Sequence, residues 1–556
     1  MRRNKRVFAI AICLIMVMGF LAACGDSTPA APDAGTSPAP GSSPAPPAAT
    51  PPAGSTLPTT PEDETASFMQ HIDIIGDSSQ IAVINPFNPA ANPMSSGWVL
   101  IMTHDRLIER DPESGQFIPH IAHDWGTDDF QNFVFNLRDD VYFHNGQQLT
   151  AEDVVFTIET AQDIGTGSPA LAQWGGVESV RAVDNFTVEI TLRDVNVDFY
   201  HHVSAPAACI VSKSALEADS ETGTHIGSGA YTVHEFVSND YVIFARNENY
   251  WNERFNVITP MVTIRYVPEL TAAAARIERG ESQLTFRIAV EDIPIFQREP
   301  DKFHVFPQLL NTVQGYSFNV SDPLLQDYNL RMAIMHATDR AAIALFSAGE
   351  WAVSVVGHER GGGTIWAYGT DFRKNDIPAI EYDLDLARQY LEQSNYNGET
   401  IEIAAAIMTN VRAAQALQEQ LRVIGINTEV RELDSPGLSA YAIDPDGGSQ
   451  IIIFSLQMNL AASSSRFVFV PGMPQNRMQY NNPEVTALLD AAGMELDVNA
   501  RRDMYYRVQE IVAEDPPYLQ LFWRLNTIIA AQGLGGVVTP ADNLQNDFRQ
   551  IFMLLD

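Results

Sequence analysis

Cysteine is nearly absent: Cys13, Cys24 and Cys209 are the only three in 556 residues. They are too few and too far apart for a disulfide framework or a Cys-rich metal site, so the fold must hold by ordinary core packing. Positive charge is scarce as well, with 34 Lys and Arg against 69 Asp and Glu and a net charge of −35. Nucleic acids and anionic lipid heads are bound by clustered Lys and Arg, so neither is expected as a partner. Beyond Val7–Ala23 there is no apolar run long enough to span a bilayer. The body of the chain is therefore not a permease.

Catalytic patterns are missing too. Gly227-Ser228-Gly229 has its glycines too close for a nucleophile elbow and reads as a turn. His120-x-x-His123 and His201-His202 lack the His-Glu-x-x-His context of zinc hydrolases and read as loop or edge histidines. Asp444-Pro445-Asp446-Gly447-Gly448 lacks the later ligands of a calcium loop and reads as a turn. Gly361-Gly362-Gly363 opens no evident helix, so it reads as a hinge or loop rather than a phosphate cradle. The expectation is a chain that is not an enzyme and carries neither metal nor cofactor.

What is present begins at the N-terminus. Arg2, Arg3, Lys5 and Arg6 precede the apolar run Val7–Ala23, the layout of a secretory signal over residues 1–23. Leu21-Ala22-Ala23-Cys24 resembles the lipobox of bacterial lipoproteins, which implies cleavage before Cys24 and a diacylglycerol on its sulfur. The alternative is an uncleaved N-terminal anchor; either way the body lies outside the membrane and tethered to it. From Gly25 to about Ala66 no apolar side chain is larger than alanine except Leu57. Such a segment cannot offset the entropy of ordering it, so 24–66 is expected to be a disordered stalk. Its prolines make it a semi-rigid spacer of up to ~3 Å per residue. The expected location is the outer face of the cell membrane, extracellular or periplasmic.

The remaining chain, roughly 490 residues, is too long for one core and predicts two or three compact units. His71–Ile75 reads as extended, Gly97–Leu107 as a helix running into a short strand, and Asp111–Gly115 as a turn. Phe133–Arg138 alternates like a half-buried strand, and Val141–Gly146 reads as a second one ending in an Asn-Gly turn. Thr150-Ala-Glu-Asp153 has capping-box spacing ahead of a helix striped by Val154, Ile158 and Ala161. Val177–Val183 and Thr187–Leu192 form a strand pair; Tyr231 opens another strand, continued by Tyr241–Arg246, and Ala272–Ile277 is helical. From about Gly315 helices alternate with strands: Arg331–Phe346, Asp383–Ser394 and Arg412–Ile424 are helical, and Ile426–Val430 is a strand. That order argues for an α/β unit with a partly parallel sheet. Asn482-Pro483-Glu484 opens a further helix, and Pro516-Pro517 ends the one carrying Met504, Val508, Ile511 and Val512.

Aromatics and amides near segment junctions are the candidate ligand contacts: Trp98, Tyr316, Asn319, Trp351, Trp366 and Gln457. Each is by itself more often core or surface than contact, with loop tryptophans beside glycine the better candidates.

Five blocks resemble the extracytoplasmic solute-binding proteins of ABC importers, in the class serving dipeptides, oligopeptides, nickel and some oligosaccharides. Phe133–Arg138, Phe143-His-Asn-Gly146 and Leu149–Phe156 are similar to the class signature. His225–Tyr231 with Ala245–Trp251 resembles its Gly-Thr-Gly-Pro-Tyr and Arg-Asn-x-x-Tyr-Trp pair. Leu330–Ile334 with Ala337–Arg340, Tyr382–Ala387 with Ile424–Ile426, and Tyr480–Val485 through Glu514–Pro516 complete the series. The resemblance implies an α/β, two-lobed fold of the periplasmic-binding-protein kind that closes about a hinge on its ligand. Lobe I would comprise 67–96, 176–315 and 516–556, an inserted subdomain 97–175, and lobe II 316–515. The implied partners are a peptide or other small solute and an ABC permease with its ATPase subunits; the chain would act as a monomer, touching the membrane only through the lipid on Cys24.

One departure stands out. Peptide-binding members carry an Asp in lobe II that pairs with the peptide ammonium, and the corresponding stretch here is Phe454-Ser-Leu-Gln457-Met-Asn459-Leu, with Gln457 near that position. A neutral amide does not offset a buried ammonium as a carboxylate does. Two other readings stay open: an oligosaccharide receptor that stacks sugars on Trp98 or Trp351 and bonds hydroxyls through Asn319, Gln457 and Asn459, and an envelope lipoprotein hydrolase.

Overall fold

The computed structural model describes residues 67–76, 81–88, 93–112, 114–163, 168–355, 372–442, 448–457, 462–473, 475–538 and 546–555. The leader, Cys24, the stalk, Gly361–Gly363, Trp366, Asp444–Gly447 and Asn459 lie outside them. The first strand, β1 (His71–Ile75), is followed by a helix, Pro93–Thr103, and a short hairpin of β2 (Ile108–Arg110) and β3 (Phe117–Pro119). Next comes a separate antiparallel sheet of β4 (Ala122–Gly126), β5 (Asn132–Leu137), β6 (Val177–Asp184) and β7 (Thr187–Leu192), in the order β4-β5-β7-β6. The chain then adds β8 (Tyr231–Val237), β9 (Tyr241–Arg246), β10 (Met261–Arg265) and β11 (Leu284–Thr285) beside β1.

The long strand β12 (Phe303–Phe318) leads into a second half built on β13 (Ala352–Ser354), β14 (Thr400–Ala405), β15 (Asn427–Glu432) and β16 (Ile451–Gln457). Strand β17 (Tyr518–Ala531) returns to the first half. All but β2–β7 belong to one 11-stranded sheet, ordered β15-β14-β16-β12-β17-β11-β1-β10-β9-β8, with β13 on β17. β14 pairs in parallel with both β15 and β16, the partly parallel sheet that the helix–strand order implies.

Each half of the main sheet buries a core on both faces. In the second half, alternate residues of β16 go to opposite sides: Ile452, Phe454 and Leu456 join one core, Ile451 and Ile453 the other. In the first half, Ile72 and Ile74 of β1 face one core, and Ile75 faces the other with Ile277 and Phe296. The four-stranded sheet has a core of its own under the helix Ala151–Asp163, whose Val154, Ile158 and Ala161 have no exposed surface. That unit runs past the limit of residue 175 expected for it, because β6 and β7 pair within its sheet and its core continues to Val211.

Local chemistry sets the helix ends. Asp153 Oδ2 accepts from the N–H and hydroxyl of Thr150, so the acid arm of the capping box forms. Asn482 Oδ1 accepts from the N–H groups of Glu484 and Val485 ahead of the helix Pro483–Ala492. Two expectations change. The segment Arg331–Phe346 is two helices, Tyr328–His336 and Arg340–Ala348, because Asp339 adopts an extended N-cap and accepts from the Ala342 N–H. The expected strand Val141–Gly146 reduces to a single bridge, Tyr142 to Gln148, around Gly146 at φ +83.

Candidate functional site

Strands β12 and β17 are shared by both halves. They pair from Phe303–Ala531 to Leu309–Leu525 in the first half and from Val313–Trp523 to Ser317–Tyr518 in the second, with a register break between. β11 pairs antiparallel with β17, and β1 and β10 continue parallel to β11, so all three run toward that break. From the other side, β16 starts opposite Phe318 and ends with Gln457 opposite Thr312; parallel β14 runs with it. The carboxyl ends of the parallel strands in both halves thus converge on the crossing. Ligands of open α/β sheets bind outside those ends, where exposed backbone groups and loops are free to meet them.

The loops at those ends carry distinctive residues. In the first half they are Gly76 after β1 and Phe286-Arg287 after β11. In the second, β14 gives way to Ala406-Ile407-Met408, where Ile407 and Met408 are mostly exposed. Ile407 sits at φ +67, an outlier for a β-branched residue, and opens the helix Met408–Val423 without a side-chain cap. Strain of this kind collects at ligand clamps and switches. Arg412 on that helix lies 3.8 Å from Glu291, which follows β11 by six residues. Exposed at both ends, the pair adds little stability. It does show that the two sets of loops come within side-chain reach.

The expected contacts divide three ways. Trp98, Trp351 and Gln457 lie toward the crossing. Trp98, 4% exposed, packs edge-on to Phe286 and Phe548 at 5.2 Å each, and Gly76 lies against the same ring. Trp351 leads into β13, which pairs with β17 at Arg524 and Trp523. Gln457 ends β16. Two others lie deeper in the second half: Tyr316 has no exposed surface and bonds Thr338 through its hydroxyl, so it is core and not a cleft wall. Phe454 is buried against Tyr518 beneath the Arg477 guanidinium. Asn319 corrects the expectation most: it follows β12 at the end opposite the crossing, seven residues beyond Thr312, or roughly 23 Å along a strand. There its N–H bonds Gln450, and its Oδ1 accepts from Ser321.

Behind Trp98 lies a buried polar cluster that fixes the helix Pro93–Thr103. Asp105, with no exposed surface, accepts from four side chains: His120 Nε2 at 2.8 Å, Tyr250 OH at 3.1 Å, Ser228 Oγ at 2.9 Å and Trp251 Nε1 at 2.8 Å. Burial pushes its carboxyl up, but His120, Trp251 and Arg549 outweigh that and hold it well below the usual carboxylate range. Glu109, four residues on, takes Arg106 and Arg549 and falls to about 2, because Arg549, His120 and Arg106 together overcome its burial. His104 is lowered from 6.5 to about 3, mainly by burial and next by His144 beside it.

The blocks that carry the family resemblance meet at this cluster. A Cβ on Gly227 would fall 1.9 Å from the Thr103 carbonyl oxygen, and one on Gly229 2.5 Å from the Thr103 carbonyl carbon. Only glycine lets the loop press on the helix end and deliver Ser228 to Asp105. His144 accepts from the Gly227 N–H at 3.2 Å and lies 3.1 Å from the Gly229 carbonyl; Arg138 lies over the Trp251 ring. His120 is therefore a buried member of this cluster and not a loop or edge histidine, with its two ring nitrogens at Asp105 and Glu109. A signal for it was the polar run Thr103–Arg106 between apolar stretches. Phe286, Arg287 and Ile407 gave no such signal, since β11 is two residues long and backbone strain leaves no mark in composition.

Among the described residues no cluster of His, Cys, Asp and Glu could hold a metal ion, and no helix is long and apolar enough to cross a membrane. The profile of the bacterial extracellular solute-binding proteins, family 5 Middle, matches residues 116–465. A putative ABC transporter peptide-binding protein of Brucella ovis is 27% identical over 447 residues, covering 76% of this chain and 81% of that one. Among solved structures, the ABC transporter substrate binding protein CtaP of Listeria monocytogenes superposes with a TM-score of 0.77 at 21% identity, over 88% of this chain and 100% of that one. The periplasmic binding protein DppA of Helicobacter pylori, in complex with the peptide STSA, gives 0.71 at 19% identity over 88% and 99%.

Proposed function

The chain belongs to the bacterial extracellular solute-binding proteins of family 5, and from that premise we propose that it captures a peptide or peptide-sized solute at the crossing of its two halves and delivers it to an ABC permease. The observation that carries this is the convergence of both sets of strand carboxyl ends on β12 and β17. Two chain passes joining two cores make a hinge, and a solute that contacts both halves stabilises the closed form by its differential affinity. Trp98, Trp351 and Gln457 remain the contacts to test first.

Cys24 anchors the chain through lipid, and the Pro-rich stalk lets the body range over the outer membrane face as a monomer. The Leu21–Cys24 sequence supports the anchor. The solute leaves chemically unchanged, since the chain binds and hands over. An oligosaccharide is the second reading, favoured by a neutral Gln457 where peptide-binding members have Asp.

A thermal-shift screen on the full-length chain, stripped of ligand by unfolding and refolding, separates these. A ligand at a hundred times its Kd adds ~2.7 kcal/mol, a shift of a few degrees. Short peptides should produce it. A shift with oligosaccharides alone overturns the peptide reading and leaves the family assignment standing.

A further inference from the structure

We propose that loop 193–198 of the four-stranded unit is the stop against which the second half closes, so that this unit sets the width of the closed cleft although none of its strands belongs to the main sheet. The inference rests on the reading of β12 and β17 as a hinge and adds what limits the travel of that hinge.

Two chain passes give a hinge its axis and leave its angle free. Away from that axis the halves touch on both flanks of the main sheet. On one flank lies the helix Met408–Val423, whose Leu417 and Leu421 share a core with Ile451 and Ile453; its Arg412 is 3.8 Å from Glu291. On the other lies the helix Pro483–Ala492, whose Val485 and Leu489 share a core with Ile452 and Phe454. It ends at Gly493, and the Gly493 carbonyl faces the Val197 N–H at 3.5 Å. The next helix, Val498–Glu514, runs to the start of β17 at Tyr518, opposite Ser317 and far from the crossing. Its 17 residues make it roughly 25 Å long, so turn 493–497 lies on the crossing side of the second half.

The two contacts differ in kind. Arg412 and Glu291 meet through long, exposed side chains, which can follow a change of angle. Val197 and Gly493 meet backbone to backbone, and both backbones are held. Loop 193–198 is tied to its own unit: the Arg193 N–H bonds the Gly176 carbonyl at 3.0 Å, the Asn196 N–H bonds the Phe130 carbonyl at 2.9 Å, and Asn196 Oδ1 accepts from the Asp198 N–H at 3.0 Å. Across from it, the Met494 N–H bonds the Ala491 carbonyl at 3.1 Å, and Arg501 Nη1 donates to the Glu495 carbonyl at 2.9 Å. At 3.5 Å the bond between the halves is too long to hold them together. It marks where they meet. Close-packed protein yields little to compression, so further closing runs into two fixed backbones, each backed by its own core.

The test uses the full-length chain. Val197→Cys combined with Gly493→Cys should form a disulfide under diamide, which takes up both thiol hydrogens, since backbones this close fall within disulfide range. Peptide mapping should find the 197–493 link in most molecules. Wedges come next. Gly493 has an ordinary helical φ of −64, and a Cβ there meets only the Asp490 and Leu489 carbonyls, at 3.6 and 3.8 Å. Gly493→Trp, or Val197→Trp from the other side, should give a larger radius of gyration in solution scattering than the cross-linked chain, with the melting temperature of the parent. Either wedge decides the matter if the other fails to fold. In calorimetry with dialanine to penta-alanine, the wedges should move the preferred length upward. A missing 197–493 link, wedges as compact as the cross-linked chain, or peptide binding with unchanged length preference overturns the stop. If no peptide binds, the peptide reading falls, and cross-linking and scattering still decide the stop.

Discussion

The two halves use a buried ion beside a helix in opposite ways. In the first, Asp105 is a carboxylate with no exposed surface, ringed by four side-chain donors from three separate stretches of chain. In the second, Arg331 is the buried member: it donates to the Leu325 carbonyl at 2.6 Å and pairs with Asp515, whose side chain is 63% exposed. Water can replace Asp515 but cannot reach Asp105. The same device, a buried ion beside a helix, is therefore structural glue in one half and a modest clasp in the other.

The sharpest way to break the contrast is a pair of substitutions. Asp105→Ala leaves four donors, His120 among them, without their acceptor and should cost about 3–5 kcal/mol. Asp515→Ala should cost about 1 kcal/mol, since solvent takes over the exposed side of the pair. Urea unfolding midpoints of the two variants measure the difference, and equal losses would sink the comparison.

Acid should widen it. His104 has a folded pKa of about 3 against an ordinary 6.5, so between those values the unfolded chain binds a proton that the folded one refuses. Stability of the first half then falls as pH drops below about 6.5. Glu109, at about 2 against 4.5, extends the loss below pH 4.5, as does Asp105, which is also lowered. Hydrogen exchange at pH 7 and pH 4 should show residues 98–110 losing protection before 328–345. Parallel loss in both segments would mean that the buried cluster is not what titrates.

The smallest effect is expected at the cleft. Ile407→Gly relieves the positive φ but frees the unfolded backbone, so stability should change by less than about 1 kcal/mol. Ligand affinity should fall more than stability does, because the loop after β14 loses its fixed shape. Calorimetry beside a thermal melt separates the two.

Much of the second half was legible because its elements are local. Ala413, Leu417 and Leu421 recur at helical spacing, and all three are buried on the helix Met408–Val423. The break at Asp339 was not legible, since Ile334 and Ile343 on either side of it enter the same core and the apolar stripe continues across the cap. The family blocks were easy to see, yet their shared role was not: His144, Ser228 and Trp251 meet only in three dimensions, around an aspartate outside every block. The cleft was the least legible part. It is assembled from strand ends hundreds of residues apart, and whether an aromatic such as Tyr316 faces ligand or core depends on strand register, which composition does not reveal.

The return of β17 to the first half has a consequence for how the chain is made. The second half is one continuous stretch and can pair its own strands as it emerges. β11, by contrast, finds its neighbour at Ile529 and Ala530, and Glu109 waits for Arg549, 440 residues later. During synthesis and export the first half must therefore stay unfinished while the later half takes shape, and closing so distant a loop is slow. The exposed edge of an incomplete sheet is a ready template for wrong pairing. A chaperone that recognises this protein on its way out would have the most to gain by covering the β11 edge until the final strand arrives.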